Sequence, residues 1–317
     1  MRGLDFERPI LELESKINEL RNFGSTKRVN IIPEIKKLEQ KLEKMKEEIY
    51  TNLTPWQRVQ IARHPRRPYT LDYIQMITTE FLELHGDRLF ADDQAIVAGF
   101  AKINNKKVLI MGHQKGRDTK ENVMRNFGCA HPEGYRKAIR LMQLAEKFHL
   151  PVVILIDTPG AYPGVGAEER GQAQAIASNL RDMVKIATPI VATVIGEGGS
   201  GGALGIGIAD CVCILQNAYY SVISPEGCAS ILWRNSIKAP EAASALRLTG
   251  EDLIRFGIVD EIIPEPIGGA HRNPEETAAS LKKAIVKHLK ELCGLSPDDL
   301  LESRYKKFRK IGEFASN

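Results

Sequence analysis

Six glycines fall within the ten residues from 196 to 205, where an apolar, strand-like run (190–195) gives way to a small-residue, helix-like one. Glycine lets a ligand come close to the backbone, and the first turn of a helix carries N–H groups without intrahelical acceptors and a partial positive charge. Such a place stabilises negative charge on an oxygen, and three chemistries compete for it. Gly196, Gly198 and Gly201 satisfy G-x-G-x-x-G, the dinucleotide fingerprint. That fingerprint needs an acidic residue about 20 positions on, where this chain has Gln216, Asn217 and Ala218. Gly198, Ser200 and Gly202 satisfy G-x-S-x-G, the nucleophile elbow of hydrolases, and Asp260 and His271 follow in the order acid, histidine. In the third reading the backbone N–H groups of Gly201 and Gly202 form an oxyanion hole, and Ser200 is merely small and able to cap the helix.

A second stretch of the same kind favours the third reading. Residues 157–166, Asp-Thr-Pro-Gly-Ala-Tyr-Pro-Gly-Val-Gly, also leave a strand and enter a helix, with three glycines and two prolines that make the backbone both bendable and pre-set. Loops at the same ends of successive parallel strands should converge, because ligands of open α/β sheets sit beyond the strands' carboxyl ends. No acid–base pair stands out. Glu168 and Glu169 are adjacent, so on a helix they point about 100° apart, which argues against a solitary hydratase or isomerase. His113, His131 and His271 are expected to serve as structural hydrogen-bonding groups.

The elements that must carry these loops follow from periodicity. Phe6, Ile10, Leu13, Ile17 and Leu20, then Ile35, Leu38, Leu42, Met45 and Ile49, make two narrow apolar stripes with Lys and Glu between them. They predict a coiled-coil-like helical hairpin over 1–53, turned at Gly24-Ser25-Thr26, that either packs on the main domain or contacts a partner. Residues 54–69 read as a linker whose basic knot, Arg63 to Arg67, is either a solvated loop or a phosphate site. A helix is predicted over 71–84. Strands are expected at 95–103 and 107–112 about an Asn104-Asn105 turn, and at 152–156, 190–195, 211–215, 219–223 and 259–263. Helices are expected at 134–149, 167–187, 225–232 and 240–248. The alternation predicts an α/β domain over 54–293 with its sheet covered on both faces, and 294–317 is left as a C-terminal tail.

Composition sets outer limits. Among 317 residues, 43% are hydrophobic and 26% charged, and 44 basic against 40 acidic residues leave a net charge of only +4. That balance suits a soluble enzyme better than a nucleic-acid binder. Cys129, Cys211, Cys213, Cys228 and Cys293 show no C-x-x-C spacing. Cys211 and Cys213, two apart in an apolar run, are expected to be small buried hydrophobes on one strand face, not metal ligands. The first ten residues lack the apolar core of a signal peptide, and no run is long enough to span a membrane. The expectation is a cytoplasmic protein.

The order strand, DTPGAYPGVGAEERG, helix, strand, GEGGSGGA resembles the biotin-dependent carboxyltransferases. The segments 112–117, 132–138, 221–229 and 263–274 resemble specifically the alpha subunit of the acetyl-CoA carboxylase carboxyltransferase, with likeness running from about residue 4 to 289. The resemblance implies a crotonase-like fold, a spiral of ββα units. It implies an alpha2beta2 complex with a zinc-containing beta subunit, working with the biotin carboxyl carrier protein and biotin carboxylase of a larger ATP-dependent complex. It implies transfer of a carboxyl group from carboxybiotin to acetyl-CoA, giving malonyl-CoA for fatty acid biosynthesis, with no metal in this chain. Catalysis would rest on the Gly201 and Gly202 amides, holding the ureido oxygen of biotin. Gly160, Ala161, Gly164, Gly166, Gly198 and Gly199 would shape the biotin pocket.

Overall fold

The computed structural model describes residues 4–27 and 32–312. In chain order its elements are α1 (Arg8–Lys27), α2 (Ile32–Thr51), α3 (Pro55–Ala62), α4 (Thr70–Ile77), β1 (Thr79–Glu83), β2 (Ile96–Ile103), β3 (Lys106–His113), α5 (Thr119–Met124), α6 (Pro132–Lys147) and β4 (Val152–Thr158). Next come α7 (Val165–Glu169), α8 (Gln172–Met183), β5 (Ile190–Gly199), α9 (Ser200–Leu204), β6 (Cys211–Leu215) and β7 (Tyr219–Ser221). The chain continues with α10 (Pro225–Trp233), α11 (Ala239–Ala245), α12 (Gly250–Arg255), β8 (Glu261–Ile263), α13 (Pro274–Leu292) and α14 (Pro297–Arg309).

One eight-stranded sheet runs β1-β2-β3-β4-β5-β6-β8, with β7 beside the far end of β5. Asn104 and Asn105 both take positive φ, as a two-residue turn between antiparallel β2 and β3 requires. From β3 onward the neighbours are parallel. Every residue of β4 and β5 is buried, which accounts for the near-continuous apolar runs at 152–156 and 190–195. Thr158 pairs with Gly198, so both glycine loops leave the sheet side by side.

Several expectations are corrected. The predicted helix over 71–84 stops at Ile77, and 79–83 turns into edge strand β1. The single helix over 167–187 is two, broken at Gly171 in the left-handed region. The linker reading of 54–69 misses α3, which Thr54 caps. α1 continues through Gly24-Ser25-Thr26 to Lys27, and the rest of the expected turn, 28–31, lies outside the described residues. The hairpin seam itself is present: Ile10, Ile17 and Leu42 are buried against Leu13, Ile35, Leu38, Met45 and Ile49. Its base docks on the domain, where Glu7 accepts from the Tyr50 hydroxyl at 2.5 Å and faces His271 at 3.7 Å.

The stretch left as a tail contains α14. Its Arg304 is wholly buried, bonded to both Asp210 oxygens (2.8 and 2.7 Å) and to the carbonyls of Met183, Ile186 and Thr188. A charge in that position demands such partners, and they bind the C-terminal helix to the domain.

Candidate functional site

The two glycine loops pack backbone to backbone. A Cβ on Gly199 would overlap the Pro159 carbonyl, and one on Gly202 would overlap the Gly160–Ala161 peptide. Glycine at these positions is therefore a condition of contact between the loops. The first loop is held internally: the Gly160 N–H donates to Thr158 Oγ1 (3.1 Å), and Gln172 Nε2 donates to the Ala130 and Tyr162 carbonyls (2.8 and 2.9 Å). Gly164 lies against the Tyr162 ring and Gly166 near the Arg170 guanidinium, while the Cβ direction of Gly160 is open. Gly198 lies against Tyr220 on the other side.

β5 ends at Gly199, and α9 begins at Ser200, which is exposed with φ of +49°. No main-chain or side-chain oxygen among the described residues accepts from the N–H groups of Gly201 or Gly202. Gly201 has ordinary contact on its Cβ side, Ile176 Cδ1 at 3.6 Å, and is half-buried, whereas Gly202 is buried. A cleft of about 500 Å³ opens beside Ser200 and Gly201, walled by Leu204, Gly207, Tyr220 and Val222 among others.

Beneath the loops lies a charge network that sequence reasoning missed. Lys115 Nζ reaches Asp157 at 2.6 Å and Glu197 at 2.8 Å. Arg63 bonds Glu197 at 2.7 Å and Glu226 at 2.5 Å, and the Tyr219 hydroxyl donates to Glu197 at 2.6 Å. Asp157 also accepts the Glu197 N–H at 2.9 Å, and Gly196 leaves no room for a Cβ beside its carboxylate. Burial opposes the charge on Glu197, but Lys115 and Arg63 outweigh it and hold that carboxyl at about 2. Burial likewise opposes the Lys115 charge, and the two carboxylates raise its pKa in spite of it. A carboxylate at 157 and another at 197, each in an otherwise apolar strand, was the available signal, since such groups need a buried cation.

The basic knot is accounted for by this layer. Arg67 is fully buried on Glu265 and the Ile195 carbonyl (2.7 Å), Arg63 joins the network above, and His64 stacks on His271 at 3.8 Å. Arg63, His64 and Arg67 are thus tied into the structure, while Pro65 and Arg66 lie exposed between them. The hydrolase reading fails on the same geometry. His271 is buried against His64 and faces Glu7, and Asp260 accepts from the Val212 N–H and pairs with Lys307. Ser200 thus has neither as its base. His131 makes the expected hydrogen bond, to Asn126 at 2.8 Å. His113 is buried against the Gly202 backbone and is kept neutral: burial pushes its pKa down to about 3, and the Lys115 charge acts the same way.

Comparison with known proteins gives these loops a context. The transcarboxylase 12S structure, with methylmalonyl-coenzyme A and methylmalonic acid bound, superposes with a TM-score of 0.59 at 22% identity. The match covers 74% of this chain and 44% of that one. The fold is therefore that of the crotonase-like carboxyltransferases. The family described as acetyl co-enzyme A carboxylase carboxyltransferase-like matches residues 3–312, and the chain belongs to that family. It is 56% identical over 312 residues to the acetyl-coenzyme A carboxylase carboxyl transferase subunit alpha of Geobacter metallireducens, covering 98% of both chains. The protein of the same name from Thioalkalivibrio sulfidiphilus is 58% identical over 311 residues, again 98% of each. No described helix is long and apolar enough to cross a membrane.

Proposed function

We propose that this chain is the alpha half of a carboxyltransferase that, with a beta subunit, moves a carboxyl group from carboxybiotin on a carrier protein to acetyl-CoA, forming malonyl-CoA. The observation that carries this reading is the pair of unaccepted amides at one helix start, Gly201 lining an apolar cleft and Gly202 buried against a second glycine loop. Carboxybiotin would supply the activated carboxyl group, and its ureido oxygen would bear the negative charge left on transfer. Gly201 and Gly202 donate to that oxygen, while Gly160, Ala161, Gly164, Gly166, Gly198 and Gly199 wall the ring's pocket. Each such donor contributes about 3 to 4 kcal/mol when aimed at developing charge.

The Lys115–Asp157–Glu197–Arg63 network acts as a positioning frame: it fixes the strand ends so that the amides point outward without reorganising. With the transferred charge held by backbone donors, no side-chain base is demanded of this chain, consistent with Glu168 and Glu169 both lying exposed on α7. The thioester oxygen falls to the beta subunit. Val222, which lines the cleft, and Ile231, Leu232 and Ile237 on and just after α10 are exposed large apolar side chains, the kind of surface a partner covers. The assembly is proposed as alpha2beta2, with zinc on the beta side. Mixing this chain with its beta partner should restore malonyl-CoA decarboxylation in the presence of free biotin, and neither chain alone should show it. Full activity in this chain alone would overturn the reading.

A further inference from the structure

At the opposite strand ends from the glycine loops, β6 begins with Cys211 and Cys213. Two residues apart on a strand, they face the same way, and their sulfurs lie 3.6 Å apart, both buried. Read from sequence they are small hydrophobes and nothing more. The fold adds what the spacing could not show. α13 packs over this face and delivers His288, so that one donor atom from each of Cys211, Cys213 and His288 lies within 4.8 Å of the other two.

We propose that Cys211, Cys213 and His288 bind a zinc-class divalent ion that ties α13 to β6. The separations suit it. Zinc–sulfur bonds of about 2.3 Å at a tetrahedral angle place two sulfurs about 3.8 Å apart, close to the distance already present. Two thiolates and an imidazole select zinc over magnesium or calcium, which take oxygen donors. A further contact has the form of a metal site's outer layer. Glu261, at the start of β8 and in register with Cys213, sits with Oε2 2.8 Å from His288 Nε2, and Lys287 holds the same oxygen at 2.7 Å. A carboxylate on Nε2 fixes the ring, and the other nitrogen, Nδ1, would take the ion in place of its 3.7 Å approach to Glu291 Oε2. His288 is partly open to solvent, giving the ion an entrance and a water the fourth position.

The test uses the full chain, reduced, stripped with a chelator and titrated with Co(II). One equivalent should bind, with a thiolate-to-cobalt charge-transfer band and tetrahedral visible bands, and Zn(II) should displace it. His288→Ala and Cys213→Ser should each weaken binding by at least about 100-fold, and Glu261→Gln by about 10-fold. Replacing Cys129, Cys228 and Cys293 together by serine should leave the bands unchanged. Absence of the bands in the folded wild-type chain would overturn the proposal whatever the variants do. So would bands lost with the three remote cysteines, or loss of two of the five thiols to a Cys211–Cys213 disulfide in freshly purified chain.

Discussion

Deleting a single hydrogen-bond donor without adding an atom is the most direct way to examine the glycine-opened helix start. Glycolic acid placed at position 201 by suppression replaces the Gly201 amide with an ester, removing the N–H and keeping the shape. A side-chain change cannot do this cleanly. At Gly202 even a methyl group would overlap the Gly160–Ala161 backbone, so a Gly202 variant reports on loop packing as much as on chemistry. Because the Gly201 N–H has no acceptor within the described chain, its loss should cost little stability. Its loss in transfer should be that of one oxyanion donor, about 3 to 4 kcal/mol, or 100- to 1,000-fold in kcat. The control is an ester at Gly205, whose N–H donates to the Gly201 carbonyl at 2.9 Å. There, a stability loss of about 1 kcal/mol should accompany near-normal turnover. Both chains are reconstituted with the beta partner and assayed by malonyl-CoA decarboxylation with free biotin. If the Gly201 ester turns over within about threefold of the amide protein, the charge is held elsewhere and the assignment is wrong.

Four further outcomes follow from the same geometry. Gly202→Ala should lower both the melting temperature and transfer by prising the loops apart, whereas Gly160→Ala, which points into open space, should melt normally; paired thermal melts decide. Ser200→Ala should keep most of the activity, and failure of a serine-directed phosphonate to label the protein would agree. Glu197→Gln should cost about 3 kcal/mol at neutral pH, since its carboxyl is held at about 2 instead of 4.5. A depressed carboxyl stabilises the fold above about pH 4.5 and loses that contribution as pH falls toward 2, so the variant's urea stability should fall less steeply across that window than the parent's. Arg304→Met should destabilise by about 3 to 5 kcal/mol, measured by urea melts, because it strands the buried Asp210 carboxylate.

What could be read from the chain beforehand divides along a physical line. The strands β4 and β5 and the Asn104-Asn105 turn announce themselves locally, through continuous apolar runs and residues that tolerate positive φ. The two glycine loops were legible for the same reason, and parallel pairing of β4 with β5 was enough to bring them together. What stayed hidden depends on contacts between residues far apart in sequence. Arg63 and Arg67 look like a basic surface loop until Glu197, Glu226 and Glu265 arrive from more than a hundred positions away. Arg304 looks like part of a polar tail until Asp210 and four carbonyls enclose it. A buried cation costs too much to be tolerated without a partner, so each of these arginines implies a carboxylate, but charge alone does not say which one. The same holds at the helix start. The glycines say that an anion can approach, while the strand end that carries them is held by Lys115 and Arg63 on Glu197. The proposed donors and this frame therefore share one strand end. On the proposed assignment of Gly201 and Gly202, weakening the grip on Glu197 should lower turnover as well as stability, because it displaces the strand end that carries them.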